Sequence, residues 1–430
     1  MRKQSGYSRF LLLWAGSMIS QIGGGLTSFG LGVYIYNRTG SAAQMAVVTL
    51  LGFLPTLLLS VPAGVLADRM DRRLLMIIGD GCSAIGIIYI LVCMNAGGAE
   101  LWQICAGVFV SSVFSALLEP AFKATVTDLL TKEEYTKANG LTSLAGSARY
   151  LVSPVIAGML LAAHDIRLLL VIDICTFFVT AAAAAAVRKG IAAKKSENRE
   201  SFAASLREGW EAIRARKGVL RLILVSSAIS VFIGVIQVLS EPLVLSFADS
   251  GTLGIAETVC SLGMLATALV TGITGIRKGH ARVLGGSLAL AGLFMTGFAL
   301  KENIVLICVS GFLFFAMLPP ANSCLDYLAR TNIPDEIQGR AWGFIGFLSQ
   351  LGYVPAFALA GVLADRAAET LQMTVGRGSA LVIGISGGLL VIVSAGILFS
   401  RRIRSLESGA ELQAPGNCPA GAGAVSFDCE

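Results

Sequence analysis

The chain has 430 residues, 55% of them hydrophobic and only 14% charged, with a formal net charge of +6 at pH 7 and a mean hydropathy of +0.75. A soluble globular protein carries about 25% charged residues, and the apolar residues here come in blocks near the ~20 needed to cross a bilayer. The composition excludes a soluble enzyme and points away from nucleic acid, toward an all-α membrane protein.

The first block, about 10–36, is longer than the apolar core of a cleavable signal and reads as a span that stays in place. Eleven further blocks follow, at about 44–66, 74–95, 100–123, 138–163, 167–187, 219–245, 252–276, 282–300, 303–325, 338–363 and 378–400. We number these spans 1 to 12. A charged stretch, 188–218, separates spans 6 and 7. Its segment 201–217 reads either as an amphipathic surface helix or as a solvated linker. The tail is rich in Gly, Ala and Pro and is expected to be disordered. The expected organisation is thus a six-helix bundle at 1–187, a linker at 188–218, a second six-helix bundle at 219–404 and a disordered tail at 405–430.

Charge orients the chain. With both termini on one side, only Arg38, Arg167, Lys301, Arg366 and Arg377 fall opposite, and Arg149 lies inside a span; the rest of the 33 Lys+Arg share the terminal side. Positive loops stay in the cytoplasm, so both termini and the linker are expected there, in a multi-pass cell-membrane protein. The nine cysteines form no CxxC pair and the two histidines, His164 and His280, are far apart, so no metal site is expected.

Six residues, GVLADR, occur twice: at Gly64–Arg69, closing span 2, and at Gly361–Arg366, closing span 11. A second similarity relates Glu133–Leu160 to Glu336–Leu363, matching Ala138 with Ala341, Gly140 with Gly343 and Gly158 with Gly361. Two six-span halves are implied, each divisible into inverted triplets. Gly64 and Ala67 permit close helix contact. Asp68 sits where its own helix dipole favours cations, so it needs a partner elsewhere. Arg69, Arg72 and Arg73 read either as part of the same device or as positive-inside anchors.

The set Gly64, Leu66, Ala67, Asp68, Arg69, Arg72 and Arg73 resembles the loop signature between spans 2 and 3 of the major facilitator superfamily. Asp71 stands where that family usually has glycine, which is similar to its macrolide-efflux-like and enterobactin-exporter-like branch. The resemblance implies twelve helices in two pseudo-symmetric bundles. It also implies a conformational latch in which Asp68 faces the start of span 11, near Gln338–Arg340. The second GVLADR, lacking trailing arginines, is expected to mark inverted symmetry rather than a second latch. The sister loop of the first is Thr271–Arg282, where Ile276 takes the aspartate position. A latch carboxylate is therefore expected on the N-terminal half alone.

Span 5 contains Ser153, Pro154, Ala157 and Gly158, which resembles a softened antiporter motif of the same family. Arg149 lies about ten residues into that span, ~15 Å deep, where a charge costs at least ~2.5 kcal/mol and faces a partner or a cavity. Asp173 in span 6 is the expected partner. Glu241 and Glu257 are further coupling candidates, whereas Asp80, Glu119 and Asp326 are expected to pair with loop arginines. The family's span-4 arginine is absent, and Gly23-Gly24-Gly25 stands where its first span often carries aspartate. The resemblance places spans 1, 4, 7 and 10 around a cavity, making Gln21, Ser112, Ser115, Gln237, Asn322 and Ser323 candidate wall residues, with Phe114 and Phe232 adding apolar surface.

The expected function is export of a small amphipathic organic molecule, such as a drug or siderophore, by proton-coupled alternating access. The chain is not expected to be an enzyme. The proton gradient is the expected driving force, with no cofactor, and a monomer is the expected working unit. The alternatives are a proton-coupled importer on the same fold and a non-transporting membrane sensor.

Overall fold

The computed structural model describes residues 6–188, 217–333, 345–400 and 405–408. The segment 201–217, expected as a surface helix or a linker, lies outside these residues but for Lys217, and so does the expected latch partner at 338–340. Among the described residues twelve helices are long and apolar enough to cross a membrane: Tyr7–Thr39, Ala42–Arg69, Arg72–Asn95, Leu101–Leu129, Tyr135–Ala163, Ile166–Arg188, Val219–Leu245, Ser250–Thr274, His280–Leu300, Ile304–Arg330, Ile345–Thr370 and Val375–Phe399. They coincide with spans 1 to 12. Helices are the natural solution because lipid offers no partner for a backbone N–H or C=O.

Four spans are interrupted among the described residues. Span 4 breaks between Ser115 and Leu118, span 5 between Leu151 and Ser153, span 10 between Ala316 and Leu318, and span 11 between Gln350 and Tyr353. Each break precedes proline: Pro120, Pro154, the Pro319–Pro320 pair and Pro355. Proline lacks the N–H that would bond one turn back, so the helix must bend or re-satisfy the carbonyl. In span 5 the Thr258 hydroxyl of span 8 donates to the Leu151 carbonyl at 3.0 Å.

Span 6 packs along spans 1 and 3 in the first bundle, as span 12 does along spans 7 and 9 in the second. Span 2 packs on span 11, and span 5 on span 8, across the boundary between bundles. We call the end carrying Arg69, Arg72 and Arg73 the basic end, and the other the far end. One apolar core crosses the boundary toward the far end. It joins Leu26, Phe29, Val33, Ala46 and Ala157 to Leu239, Leu243, Leu253, Phe357 and Ala364. At the basic end, the core of Phe10, Leu13, Ala67, Leu75 and Phe122 holds first-bundle residues alone.

Candidate functional site: latches and buried charges between the bundles

Between spans 2 and 3 the chain turns tightly. Asp71 caps span 3, its side chain accepting from the Arg73 N–H at 3.1 Å. The same carboxylate pairs with Arg188 at the end of span 6, 2.8 Å away. This explains the aspartate where the family usually has glycine: it ties spans 3 and 6 together at the basic end. Arg72 reaches Asp128 of span 4 at 2.8 Å and donates to the Ala124 carbonyl at 2.9 Å. Arg73 is 3% exposed and lies 3.8 Å from Asp128. Both arginines therefore knit spans 2, 3 and 4, beyond any anchoring role. Asp68 is different. Its side chain is 68% exposed, and Arg72 approaches no nearer than 3.7 Å.

The second hexapeptide does at the far end what Asp68 does not do here. Asp365 of span 11 sits on the N-terminus of span 2. Its Oδ2 accepts from the Ser41 hydroxyl at 2.6 Å and the Ala43 N–H at 3.0 Å, and its Oδ1 from the Ala42 N–H at 2.9 Å. The first N–H groups of a helix have no intrahelical partner and carry the positive end of its dipole, so a carboxylate fits there. The expectation that the second copy only marks inverted symmetry is therefore corrected: its carboxylate ties span 11 to span 2. Asp365 needs no trailing arginines, because a helix terminus supplies the positive partner.

Glycines report the same asymmetry. At the far end, a Cβ on Gly361 would lie 2.5 Å from the Ala42 carbonyl oxygen, and one on Gly158 2.5 Å from the Ser250 carbonyl oxygen. One on Gly254 would strike the Pro154 carbonyl. At the basic end, a Cβ on Gly64, Gly140, Gly272 or Gly346, one on each of spans 2, 5, 8 and 11, would meet no atom of the described residues within 4 Å. Among the described residues the four boundary helices thus touch at the far end and diverge at the basic end.

The sister loop has found its carboxylate elsewhere. Gly279 begins span 9 without a side-chain cap. The Ala281 N–H instead donates to Glu407 Oε1 at 3.0 Å, and His280 Nδ1 lies 3.9 Å from the same oxygen. Leu406 is buried, and its carbonyl accepts from Asn332 Nδ2 at 3.0 Å. Residues 405–408 are thus a docked turn, which corrects the expected disorder at the start of the tail. Glu407→Ala should cost about 1 kcal/mol, the usual worth of a helix cap, read as a lower thermal unfolding midpoint in detergent with the transport rate kept.

Arg149 and Asp173 are near neighbours without a close ion pair: they lie within electrostatic reach, but no nitrogen–oxygen distance falls within 4.0 Å. Arg149 is exposed, its stem packed over Gly25 of span 1. Asp173 is buried and accepts at 3.4 Å from Thr176 Oγ1. Asp80 meets no loop arginine. It is fully buried, beside Ser20 of span 1 and within electrostatic reach of Asp173. The loop-pairing expectation fails for it because its face of span 3 is buried inside the bundle. Glu119 pairs with Lys123 of its own helix at 2.5 Å, and Asp326 lies within reach of Arg330. Glu241 and Glu257 stand within electrostatic reach of each other, below the closed far end. Glu241 Oε2 is buried without a hydrogen-bond partner, against Gly32 of span 1.

Residues 13–353 match the family model described as Major Facilitator Superfamily. The chain belongs to this superfamily. It is 28% identical over 371 residues to Macrolide efflux protein A of Streptococcus pyogenes, covering 83% of this chain and 90% of that one. It is 23% identical over 377 residues to the Multidrug efflux pump Tap of Mycolicibacterium fortuitum, covering 83% and 89%. Among solved structures, the nucleoside transporter NupG superposes with a TM-score of 0.74 at 14% identity, covering 91% of this chain and 98% of that one. The protein is therefore a multi-pass membrane transporter of the major facilitator fold, not an enzyme.

In this facilitator the softened span-5 motif is a packing surface. Ser153, Pro154, Ala157 and Gly158 are all buried. Ser153 Oγ donates to the Ile22 carbonyl of span 1 at 3.0 Å. Two expected cavity residues are corrected. Ser112 Oγ donates to the Leu51 carbonyl of span 2 at 3.0 Å, and Ser115 Oγ bonds Ser83 Oγ of span 3 at 2.9 Å. A hydroxyl in lipid lowers its cost by bonding a neighbouring helix, so both turn away from the boundary. Asn322 and Ser323 are exposed, while Gln21 and Gln237 are half-buried. Gln21 Nε2 donates to Ser17 Oγ at 3.2 Å. Where spans 5 and 8 diverge, a crevice is lined by Ser147, Tyr150, Ser261, Met264 and Leu265.

Proposed function

We propose that this facilitator exports a small amphipathic organic molecule by proton-coupled alternating access, working as a monomer. The basic end faces the cytoplasm, with both termini and the linker, since positive loops remain on that side. The observation that carries this reading is the Asp365 cap at the far end, opposite an exposed Asp68 at the basic end. One hexapeptide used at both ends of inverted repeats suits two gates that close alternately. In the opposite state Asp68 meets the start of span 11 as Asp365 now meets the start of span 2. The efflux relatives favour a drug or natural product as cargo. A further relative is named Staphyloferrin A transporter, of Staphylococcus aureus, 28% identical over 159 residues, covering 37% of this chain and 38% of that one. Glu241 and Glu257, carboxylates within electrostatic reach of each other on spans 7 and 8, are the candidates for carrying the coupling proton.

The test is transport in inverted membrane vesicles with a radiolabelled macrolide. Accumulation should appear when an acid-inside gradient is imposed and vanish with a protonophore. Uptake confined to right-side-out vesicles would instead make it an importer. Asp68→Asn should leave thermal stability unchanged, since the side chain is exposed in this state, and reduce transport about tenfold, the equivalent of one charge-assisted hydrogen bond of about 1.5 kcal/mol. Wild-type turnover in that variant would remove its latch role.

A further inference from the structure

The repeat that relates Glu133–Leu160 to Glu336–Leu363 also pairs Tyr150 of span 5 with Tyr353 of span 11. Both tyrosines stand at an interruption of their span. Tyr150 lies just before the break at Leu151–Ser153, and Tyr353 just after the one that follows Gln350. Internal duplication has thus put a phenol at the same point of two boundary helices, one in each bundle.

Span 11 shows what surrounds that point. Toward the basic end, a Cβ on Gly346 would meet no described atom within 4 Å. About two turns further in, the Tyr353 ring packs on Phe53 of span 2 at 5.5 Å between centroids, and on Phe357 at 5.6 Å. Phe53 and Phe357 meet edge-on at 5.4 Å and close a triangle. About one turn beyond Phe357, Gly361 lies against the Ala42 carbonyl, and the Asp365 cap follows. The triangle therefore sits where spans 2 and 11 come together, at the inner limit of the gap that opens toward the basic end. Span 7 backs it: a Cβ on Gly234 would lie 3.2 Å from the Tyr353 ring and 3.3 Å from the Phe357 ring.

Spans 5 and 8 repeat the arrangement on the other side. At the matching level the Thr258 hydroxyl of span 8 donates to the Leu151 carbonyl at 3.0 Å. Tyr150, one residue earlier, is exposed in the crevice with Ser261 and Met264. It is within electrostatic reach of Tyr353. Among the described residues neither phenol hydroxyl has a hydrogen-bond partner. A tyrosine hydroxyl withdrawn from bulk water normally finds one. Sites for organic molecules combine apolar ring surface with a few placed polar groups. Two unpartnered hydroxyls, one from each bundle and one of them set in an aromatic triangle, make such a site. Hydroxyl donors suit carbonyl, ether or hydroxyl oxygens on an apolar body.

We propose that Tyr150 and Tyr353 grip the cargo from the two bundles, each donating a hydrogen bond to an oxygen of an apolar, oxygen-rich molecule whose body lies against the Phe53–Tyr353–Phe357 triangle. Cargo held from both bundles at once favours their approach at the basic end, which ties binding to the change of state. The inference rests on the export reading for the identity of the cargo.

The test is equilibrium binding of a radiolabelled macrolide to full-length protein in detergent, with the thermal unfolding midpoint read on the same samples. Tyr150→Phe and Tyr353→Phe each delete one oxygen and keep the ring. Each should weaken binding about fivefold, the usual worth of one hydrogen bond, and leave the midpoint unchanged. A purely structural role would move the midpoint and spare the affinity. Wild-type affinity in either variant would overturn the grip, as would a wild type that binds no macrolide saturably. If Tyr353→Phe does not fold, Tyr150→Phe decides alone, since its ring is exposed. Binding has no direction. Fivefold losses in the variants, with a wild type that accumulates nothing in inverted vesicles, would therefore sink the export reading and keep the grip.

Discussion

Asp365→Ala should open the far end and shift the protein toward the opposite state. The carboxylate collects three hydrogen bonds from the start of span 2, two from backbone N–H groups and one from the Ser41 hydroxyl. Hydrogen bonds to a charged group are worth about 1.5–3 kcal/mol each. Water replaces part of that when the gate opens, so a net loss of ~3 kcal/mol is a conservative figure, roughly a hundredfold in the conformational equilibrium. The measurement is a distance. Spin labels at Gly98 and Lys301, in far-end loops of the two bundles, should move apart in Asp365→Ala. Labels at Thr131 and Lys278, in basic-end loops, should move together. Asp365→Asn keeps one acceptor oxygen and should fall between. Unchanged far-end distances in Asp365→Ala would show that apolar packing alone holds the gate.

The second large effect comes from paired glycine substitutions. Gly361→Val places a branched side chain where even a Cβ is 2.5 Å from the Ala42 carbonyl oxygen. Backbone cannot yield there as a flexible side chain would, so spans 2 and 11 must separate at the far end. Gly64→Val fills open space in the present state and should be accommodated in it. The cost appears when the basic end closes and Gly64 meets span 11. Both variants should stop transport, for opposite reasons. Gly361→Val should show the long far-end distance of Asp365→Ala, and Gly64→Val should be held with the basic end open. Transport at the wild-type rate by either variant would contradict the two-gate reading.

Much of the architecture is legible without coordinates. Lipid imposes its demand on each segment separately, so twelve apolar blocks become twelve helices wherever they pack. The prolines that interrupt spans 4, 5, 10 and 11 act through their own missing N–H groups, another local effect. The loop from Gly64 to Arg73 is legible for a related reason. Its turn, the Asp71 cap and the arginine ties lie on adjacent spans, and one short stretch carries most of the chemistry.

The functional charges were less legible, because a charge is defined by what it faces. Asp80 looks like an inner-end aspartate awaiting a loop arginine; only the packing of the first bundle shows that it is fully buried, away from any loop. Ser112 and Ser115 fall on a helix expected to line the cavity, yet the rotation of span 4 turns them onto spans 2 and 3. Glu407 lies in a tail whose composition reads as disorder, and it caps a helix more than a hundred residues earlier in the chain.

GVLADR shows the division most plainly. The sequence by itself determined that the string recurs and that topology puts its two copies on opposite faces of the membrane. Whether each aspartate engages a partner was decided by the tertiary structure. The partner of Asp365 is a set of unpaired N–H groups at a helix terminus, which every helix possesses and no residue type announces. Only the approach of span 11 to span 2 at the far end gives one copy its partner and leaves the other exposed.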